Sequence, residues 1–229
     1  MSTAVVVGGS NGLGRVIAQR MADRGDTVVI TSRDKAKAQT VAAEIGGATT
    51  GLALDLSEPE TIEAALAEIG EVDHLVITAI EQFGQTLDTF DITAAVRSVT
   101  VKLVGYTETV RVLRGRFRPD ASVVLFGGLA KDRPYPGSTM VTTFNGGISG
   151  LTRTLAKEIA PFRVNAVHPG VVGDSPRWVD VAANHPAVPR TPIGRLVSMD
   201  EVADTVEFLL RNGGINGIDL SVDGGFLLT

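Results

Sequence analysis

The sequence predicts an α/β protein: one doubly wound sheet of about seven mostly parallel strands, with helices on both faces. Three observations lead there. Short runs rich in Val and Ile, apolar at almost every position, recur along the chain, as strands buried on both faces require. Between them lie stretches with apolar residues three and four apart, such as Leu151, Leu155 and Ile159, the spacing of one helix face. Repeated alternation of the two implies a parallel sheet with right-handed crossovers. The 229 residues, 44% hydrophobic and 21% charged, suffice for a sizeable core. No linker, repeat or low-complexity tract interrupts them, so residues 1–229 read as a single domain.

The elements follow in order. Val5-Val6-Val7 is the first strand, and Leu13 to Arg24 the first helix. Thr27 to Ile30 is the second strand, followed by an Ala-, Lys- and Gln-rich helix from about Asp34 to Ile45, with Asp34 as its cap. Gly51 to Leu54 is the third strand. Ser57, three residues before Glu60 with Pro59 between, predicts a helix start with a capping pair. His74–Thr78, Ala121–Phe126, Arg163–Val167 and Ile218–Val222 complete the strands. Ser138 and Thr139 are expected to cap the helix they open. The segment from 173 to 192 carries four prolines and no strong periodicity, which marks a candidate substrate loop or lid.

Composition excludes several classes. The net charge of −5 lacks the basic footprint of a nucleic-acid binder. With no cysteine, disulfides, thiolate metal sites and a cysteine nucleophile are ruled out, and no metal centre is expected. The apolar run Ala4–Val7 has no basic residue before it and runs into glycines, unlike a signal peptide, and no apolar stretch approaches membrane-spanning length. The expectation is a soluble cytoplasmic protein acting on a small molecule, without nucleic acid or membrane.

Glycine is in excess, 26 residues, and its placement is informative. Gly8, Gly12 and Gly14, in Val7-Gly8-Gly9-Ser10-Asn11-Gly12-Leu13-Gly14, follow the first strand and open the first helix. That is where a doubly wound sheet presents backbone N–H groups and a helix N-terminus to phosphate. The spacing G-x-x-x-G-x-G resembles the cofactor loop of the short-chain dehydrogenase/reductase family. Asp55-Leu56 after the third strand resembles that family's acidic adenine contact. Arg163 to Gly170 resembles the segment whose Pro169-Gly170 lies beside the nicotinamide, and Gly217 with Val222-Asp223-Gly224-Gly225 resembles its C-terminal strand and subunit interface.

The resemblance covers nearly the whole chain and implies a Rossmann-like fold, a nicotinamide dinucleotide, and a homodimer or homotetramer. The implied cofactor contacts are Gly8, Ser10, Asn11, Gly12, Leu13, Gly14, Ser32, Arg33, Asp55, Leu56, Thr78, Ala79, Asn145, Pro169, Gly170 and Val172. NAD sites place a carboxylate at the end of the second strand for the ribose 2′-OH. Here Thr31-Ser32-Arg33 stands there, and a guanidinium suits a 2′-phosphate. NADP(H) is therefore expected over NAD(H), with Arg15 a candidate helper.

The catalytic positions depart from the family. Its tyrosine general acid, lysine four residues later, serine and asparagine align with Val141, Asn145, Gly128 and Lys102. The Asn-Asn-Ala-Gly stretch reads Ile77-Thr78-Ala79-Ile80. Neither tyrosine supplies a Tyr-x-x-x-Lys pair, since Tyr106 is followed by Val110 and Tyr135 by Thr139. The remaining candidates for proton chemistry are Lys102, whose pKa would fall if desolvated, and Tyr135, on the loop after the fifth strand. His168 reads as a strand-end residue. Asp174 and Ser175 match loosely a threonine that touches the carboxamide, and Trp178 and Phe144 are pocket or core aromatics. Three functions stay open: an NADP(H)-dependent oxidoreductase with a non-standard site, acting on a small carbonyl, alcohol or activated alkene; a catalytically silent NADP(H)-binding sensor or subunit; and a non-redox cyclase or isomerase.

Overall fold

In the computed structural model, which describes residues 1–81 and 83–229, seven parallel strands run in the order β3-β2-β1-β4-β5-β6-β7. They are β1 (Thr3–Val7), β2 (Thr27–Ser32), β3 (Ala48–Ala53), β4 (Val72–Ile77), β5 (Phe117–Phe126), β6 (Arg163–Pro169) and β7 (Asp219–Val222). The helices are α1 (Gly12–Asp23), α2 (Lys35–Ile45), α3 (Ile62–Ala65), α4 (Ile92–Val99), α5 (Tyr106–Leu113), α6 (Thr139–Glu158) and α7 (Met199–Arg211). The chain leaves edge strand β3 and returns at β4 on the other side of β1, so strand order reverses between β1 and β4. Ligands bind above the carboxyl ends of the strands at such a switch point. Among the described residues, no helix is long and apolar enough to cross a membrane.

Both faces of the sheet are covered, which explains the unbroken apolar runs. Val5, Val7, Leu75, Ile77, Val123 and Leu125 point to a core shared with Tyr106, Ile148 and Leu155. The alternate residues Ala4, Val6, Val76 and Val124 point to a second core with Ile17, Met21, Val206 and Leu209. Each wholly buried Val or Leu side chain is worth about 1.5–3 kcal/mol of hydrophobic transfer. Such a sheet tolerates no register slip, because either face would then bury the wrong set.

β1, β3, β4 and β5 begin earlier than the apolar runs indicate, at Thr3, Ala48, Val72 and Phe117. β3 starts at Ala48 as an edge strand, where the exposed Thr50 is tolerated. β5 starts at Phe117, and its polar Arg118-Pro119-Asp120 stretch includes Asp120 at φ +69°.

Two expected caps are corrected. The Ser57 N–H and hydroxyl both donate to Asp55 Oδ1, at 2.9 and 2.7 Å, so Ser57 braces Asp55 and leads into a 3₁₀ turn, Pro59–Thr61. Ser138 Oγ accepts from Tyr135 N at 2.9 Å and meets Thr142 Oγ1 at 3.0 Å, leaving α6 without a side-chain cap. Asp34 does cap α2, accepting from Lys37 N at 3.1 Å.

Candidate active site

A cleft of about 710 Å³ opens above the carboxyl ends of β1 to β4. The glycine loop forms one wall with Gly8, Ser10, Asn11, Gly12, Leu13 and Gly14. Ser32 and Arg33 lie at the second βα corner, and Asp55, Leu56, Thr78 and Ala79 also line the cleft, whereas Asn145, Pro169, Gly170 and Val172 of the expected set do not. The loop is shaped by absent side chains. Gly8 sits at φ +85°, and a methyl there would approach Ala79 N to 2.9 Å. A methyl on Gly14 would lie 2.3 Å from the Gly8 carbonyl oxygen. Thr78 Oγ1 donates to Val7 O at 3.0 Å, tying β4 to the loop. Asn11 caps α1 by accepting from Gly12 N at 2.9 Å.

The missing side chains let the loop pack tightly on β4 and on the start of α1, a geometry that fits the close approach of a dinucleotide's phosphates to a helix N-terminus. Gly14→Ala is accordingly expected to lower stability by about 1–3 kcal/mol, the usual cost of overpacking. It should also weaken dinucleotide binding. Thermal denaturation with and without NADPH measures both.

The second corner carries more charge than the sequence suggested. Lys37 lines the cleft beside Arg33, as does Glu81 after β4. Arg33 Nη1 lies 3.8 Å from Glu81 Oε1, and Arg97 Nε donates to Glu81 Oε2 at 2.8 Å. Arg97 Nη2 also donates to Asp55 Oδ2 at 3.3 Å. Burial works against the Asp55 charge, but the bonds from Ser57 and the Arg97 guanidinium outweigh it and hold the carboxyl below its ordinary range. Arg15 turns instead to Glu44, 2.9 Å away, and is not among the lining residues.

Beneath Ala79 lies a pair that the sequence reading missed. Between α4 and α5 the helix widens into a π-helical turn, Thr100–Gly105, a feature that often marks functional sites. Lys102, 2% exposed, donates from Nζ to the Tyr106 hydroxyl at 3.0 Å, and that hydroxyl donates to Ala79 O at 2.8 Å. Burial lowers the Lys102 ammonium to about 7 and pushes the Tyr106 phenol far above its ordinary value. Tyr106 thus stays neutral, its proton committed to Ala79, whose residue lines the cleft. A Tyr-x-x-x-Lys search overlooks this couple because its order is reversed. Lys and Tyr at i and i+4 on one helix face were the available signal.

Neither Lys102 nor Tyr106 is itself among the residues lining the cleft, and the other candidates are dispersed. Asn145 is buried on α6, close to Gly128, and its Oδ1 has no partner among the described residues. Gly128 N donates to His168 Nδ1 at 3.0 Å, so the ring's proton is on Nε2 and is donated to Asp219 Oδ1 at 2.9 Å. With both nitrogens engaged and burial lowering its pKa, His168 joins the β5 loop to β7. Pro169 closes β6 and Gly170 and Val172 follow it, all three outside the cleft lining. There Gly170 N bonds Val222 O at 2.9 Å and Val172 pairs with Val197. Tyr135 is 55% exposed on the β5–α6 loop and is also outside the lining.

From the proline-bearing segment, Ser175, Pro176 and Arg177 reach the cleft, while Trp178 packs on His185. Asp174 instead accepts from Met199 N at 2.7 Å, at the start of α7. Phe144 is core.

The family model described as enoyl-(acyl carrier protein) reductase matches residues 7–227. The chain is similar to L-xylulose reductase of Bos taurus, 33% identical over 239 residues that cover 99% of this chain and 96% of that protein. It is 31% identical to carbonyl reductase family member 4 of Danio rerio over 233 residues, 98% of each. A solved structure of a short chain dehydrogenase/reductase family protein, 28% identical, superposes with a TM-score of 0.90 over 100% of this chain and 98% of that one. A dehydrogenase/reductase from Sinorhizobium meliloti 1021, also 28% identical, gives 0.90 over 98% and 94%.

Proposed function

The chain belongs to the short-chain dehydrogenase/reductase family, and from that premise we propose that it is an NADP(H)-dependent oxidoreductase with a non-standard active site, reducing a small carbonyl or activated alkene or running the reverse oxidation. The observation that carries this reading is the cleft itself. Its glycine cradle at the N-terminus of α1 runs into a corner with two cations, Arg33 and Lys37. Ser10, Asn11 and Leu13 would hold the diphosphate, Ser32 and Arg33 the 2′-phosphate, and Asp55 and Leu56 the adenine. The names carbonyl reductase and L-xylulose reductase, borne by relatives that align over nearly their whole length, support a carbonyl acceptor.

The bound nicotinamide supplies or accepts hydride. The protein's share is orientation and a proton. Reduction of a carbonyl builds an alkoxide that must be protonated, and a positioned acid accelerates such a step by about 10²–10⁴-fold. We assign the proton to Lys102, whose buried amine is brought down to about 7, with Tyr106 as the positioning residue that accepts its hydrogen bond. Relative to the family pattern, amine and amide stand exchanged: Lys102 replaces the asparagine and Asn145 the lysine. The unpartnered Oδ1 of Asn145 fits a ribose hydroxyl donor.

Near-complete burial of Lys102 favours a second reading, a dinucleotide-binding subunit without chemistry. Mixing the protein with NADPH and a panel of carbonyls and enones, and following loss of NADPH absorbance, separates the two. The oxidoreductase reading expects consumption above the buffer rate with at least one compound, abolished far more by Lys102→Met than by Tyr135→Phe. Tight binding with no consumption across the panel supports the second reading.

A further inference from the structure

Arg33, Glu81, Arg97 and Asp55 form a chain of alternating charge, with three of its members lining the cleft and Arg97 behind them on α4. The links differ in strength. Arg97 Nε donates to both Glu81 oxygens, at 3.0 and 2.8 Å, within the range of a charge-assisted bond. Arg33 meets the same carboxylate only at 3.8 Å, with 67% of its side chain exposed, too long for such a bond. Glu81 is therefore held mainly by Arg97 and only loosely by Arg33. An incoming dianion at the second corner would draw Arg33 from Glu81 and would feel the Glu81 charge as repulsion.

We propose that Glu81 and Arg97 are specificity-determining residues: Glu81 is an internal anion that competes with a 2′-phosphate for Arg33, and Arg97 limits that competition by holding Glu81. The inference rests on reading Arg33 as the 2′-phosphate partner. Without Arg97, Glu81 would lose its closest cation and Asp55 would keep only its bonds from Ser57. Glu81 would then turn fully to Arg33. Without the Glu81 charge, Arg33 is released. Partly exposed pairs of this kind change binding constants by about two- to fivefold, more strongly at low salt.

Calorimetric titration of 2′,5′-ADP and 5′-AMP, the adenosine halves with and without the 2′-phosphate, tests this at low ionic strength. Glu81→Gln is expected to tighten 2′,5′-ADP about threefold and Arg97→Gln to loosen it by about the same factor. Affinity for 5′-AMP should change far less in either variant. Arg97→Lys, which keeps the charge, should stay near the wild-type ratio. The double variant Glu81→Gln/Arg97→Gln should bind 2′,5′-ADP more tightly than Arg97→Gln alone, since Arg97 acts through Glu81. If wild-type protein prefers 2′,5′-ADP yet neither single variant moves the ratio, or each moves both ligands equally, the Glu81–Arg97 coupling is wrong and the role of Arg33 survives. Wild-type protein that binds both ligands alike overturns the role of Arg33 and the inference with it.

Discussion

Arg33→Met is expected to weaken NADPH binding about 10- to 30-fold while changing NADH affinity about twofold or less. Hydrogen bonds between charged groups contribute about 1.5–3 kcal/mol, and each 1.4 kcal/mol is a tenfold change in affinity. The lower half of that range applies because the Arg33 side chain is largely exposed, so water and salt screen it. Lys37 lines the same corner and should retain part of the attraction, so Arg33→Met/Lys37→Met should lose more than the single variant. Calorimetry with both dinucleotides reads the difference directly. A parallel loss for NADPH and NADH would mean that Arg33 supports the cleft without reading the phosphate.

Lys102→Met is expected to cut turnover by about 10²- to 10⁴-fold with little change in NADPH affinity, the range of a lost general acid. In the wild type, the reductive rate should fall as pH rises through about 7, where burial brings the Lys102 ammonium to titrate. Stability moves the other way. The unfolded chain holds this proton up to the ordinary lysine value of 10.5, and the folded protein releases it near 7. Between those values the unfolded state binds more protons, so folding stability rises with pH across this window. It is at its fullest above about 10.5 and is lost as pH falls to about 7. Methionine carries no charge to bury, so the variant should lack that slope and melt higher than wild type at pH 6. Melting curves from pH 6 to 10 test the burial of Lys102 independently of any substrate. Unchanged turnover in Lys102→Met would remove Lys102 as the proton source even if the melting slope behaves as described.

The parts of this molecule that were legible in the sequence are those set by local physics. Buried parallel strands announce themselves as Val-rich runs, and in the first turn Gly8 and Gly14 stand where sterics leave room for nothing larger while Gly12 takes a positive φ. Asp34 could be read as a cap from its place before α2, and Arg33 could be placed at the cleft from its position after β2. What stayed hidden was assembled by distant segments. Glu81 and Arg97 reach the second corner from the loop after β4 and from α4, and no spacing rule links them to Arg33. The Lys102–Tyr106 couple was local but reversed in order, and the π-helical turn beneath it has no sequence signature as plain as a glycine loop. Ser57 and Ser138 look like caps by composition. Nearer acceptors and donors, Asp55 for the one and Tyr135 N with Thr142 for the other, took their hydroxyls instead.

The most direct test of the central claim, that this cleft is a dinucleotide site selecting the 2′-phosphate, is a paired calorimetric titration of unmodified protein with NADPH and NADH in the same low-salt buffer. Saturable one-to-one binding of NADPH is expected, at least about tenfold tighter than NADH, as a charge-assisted phosphate contact requires. Equal affinity for the two, or tighter binding of NADH, would contradict it.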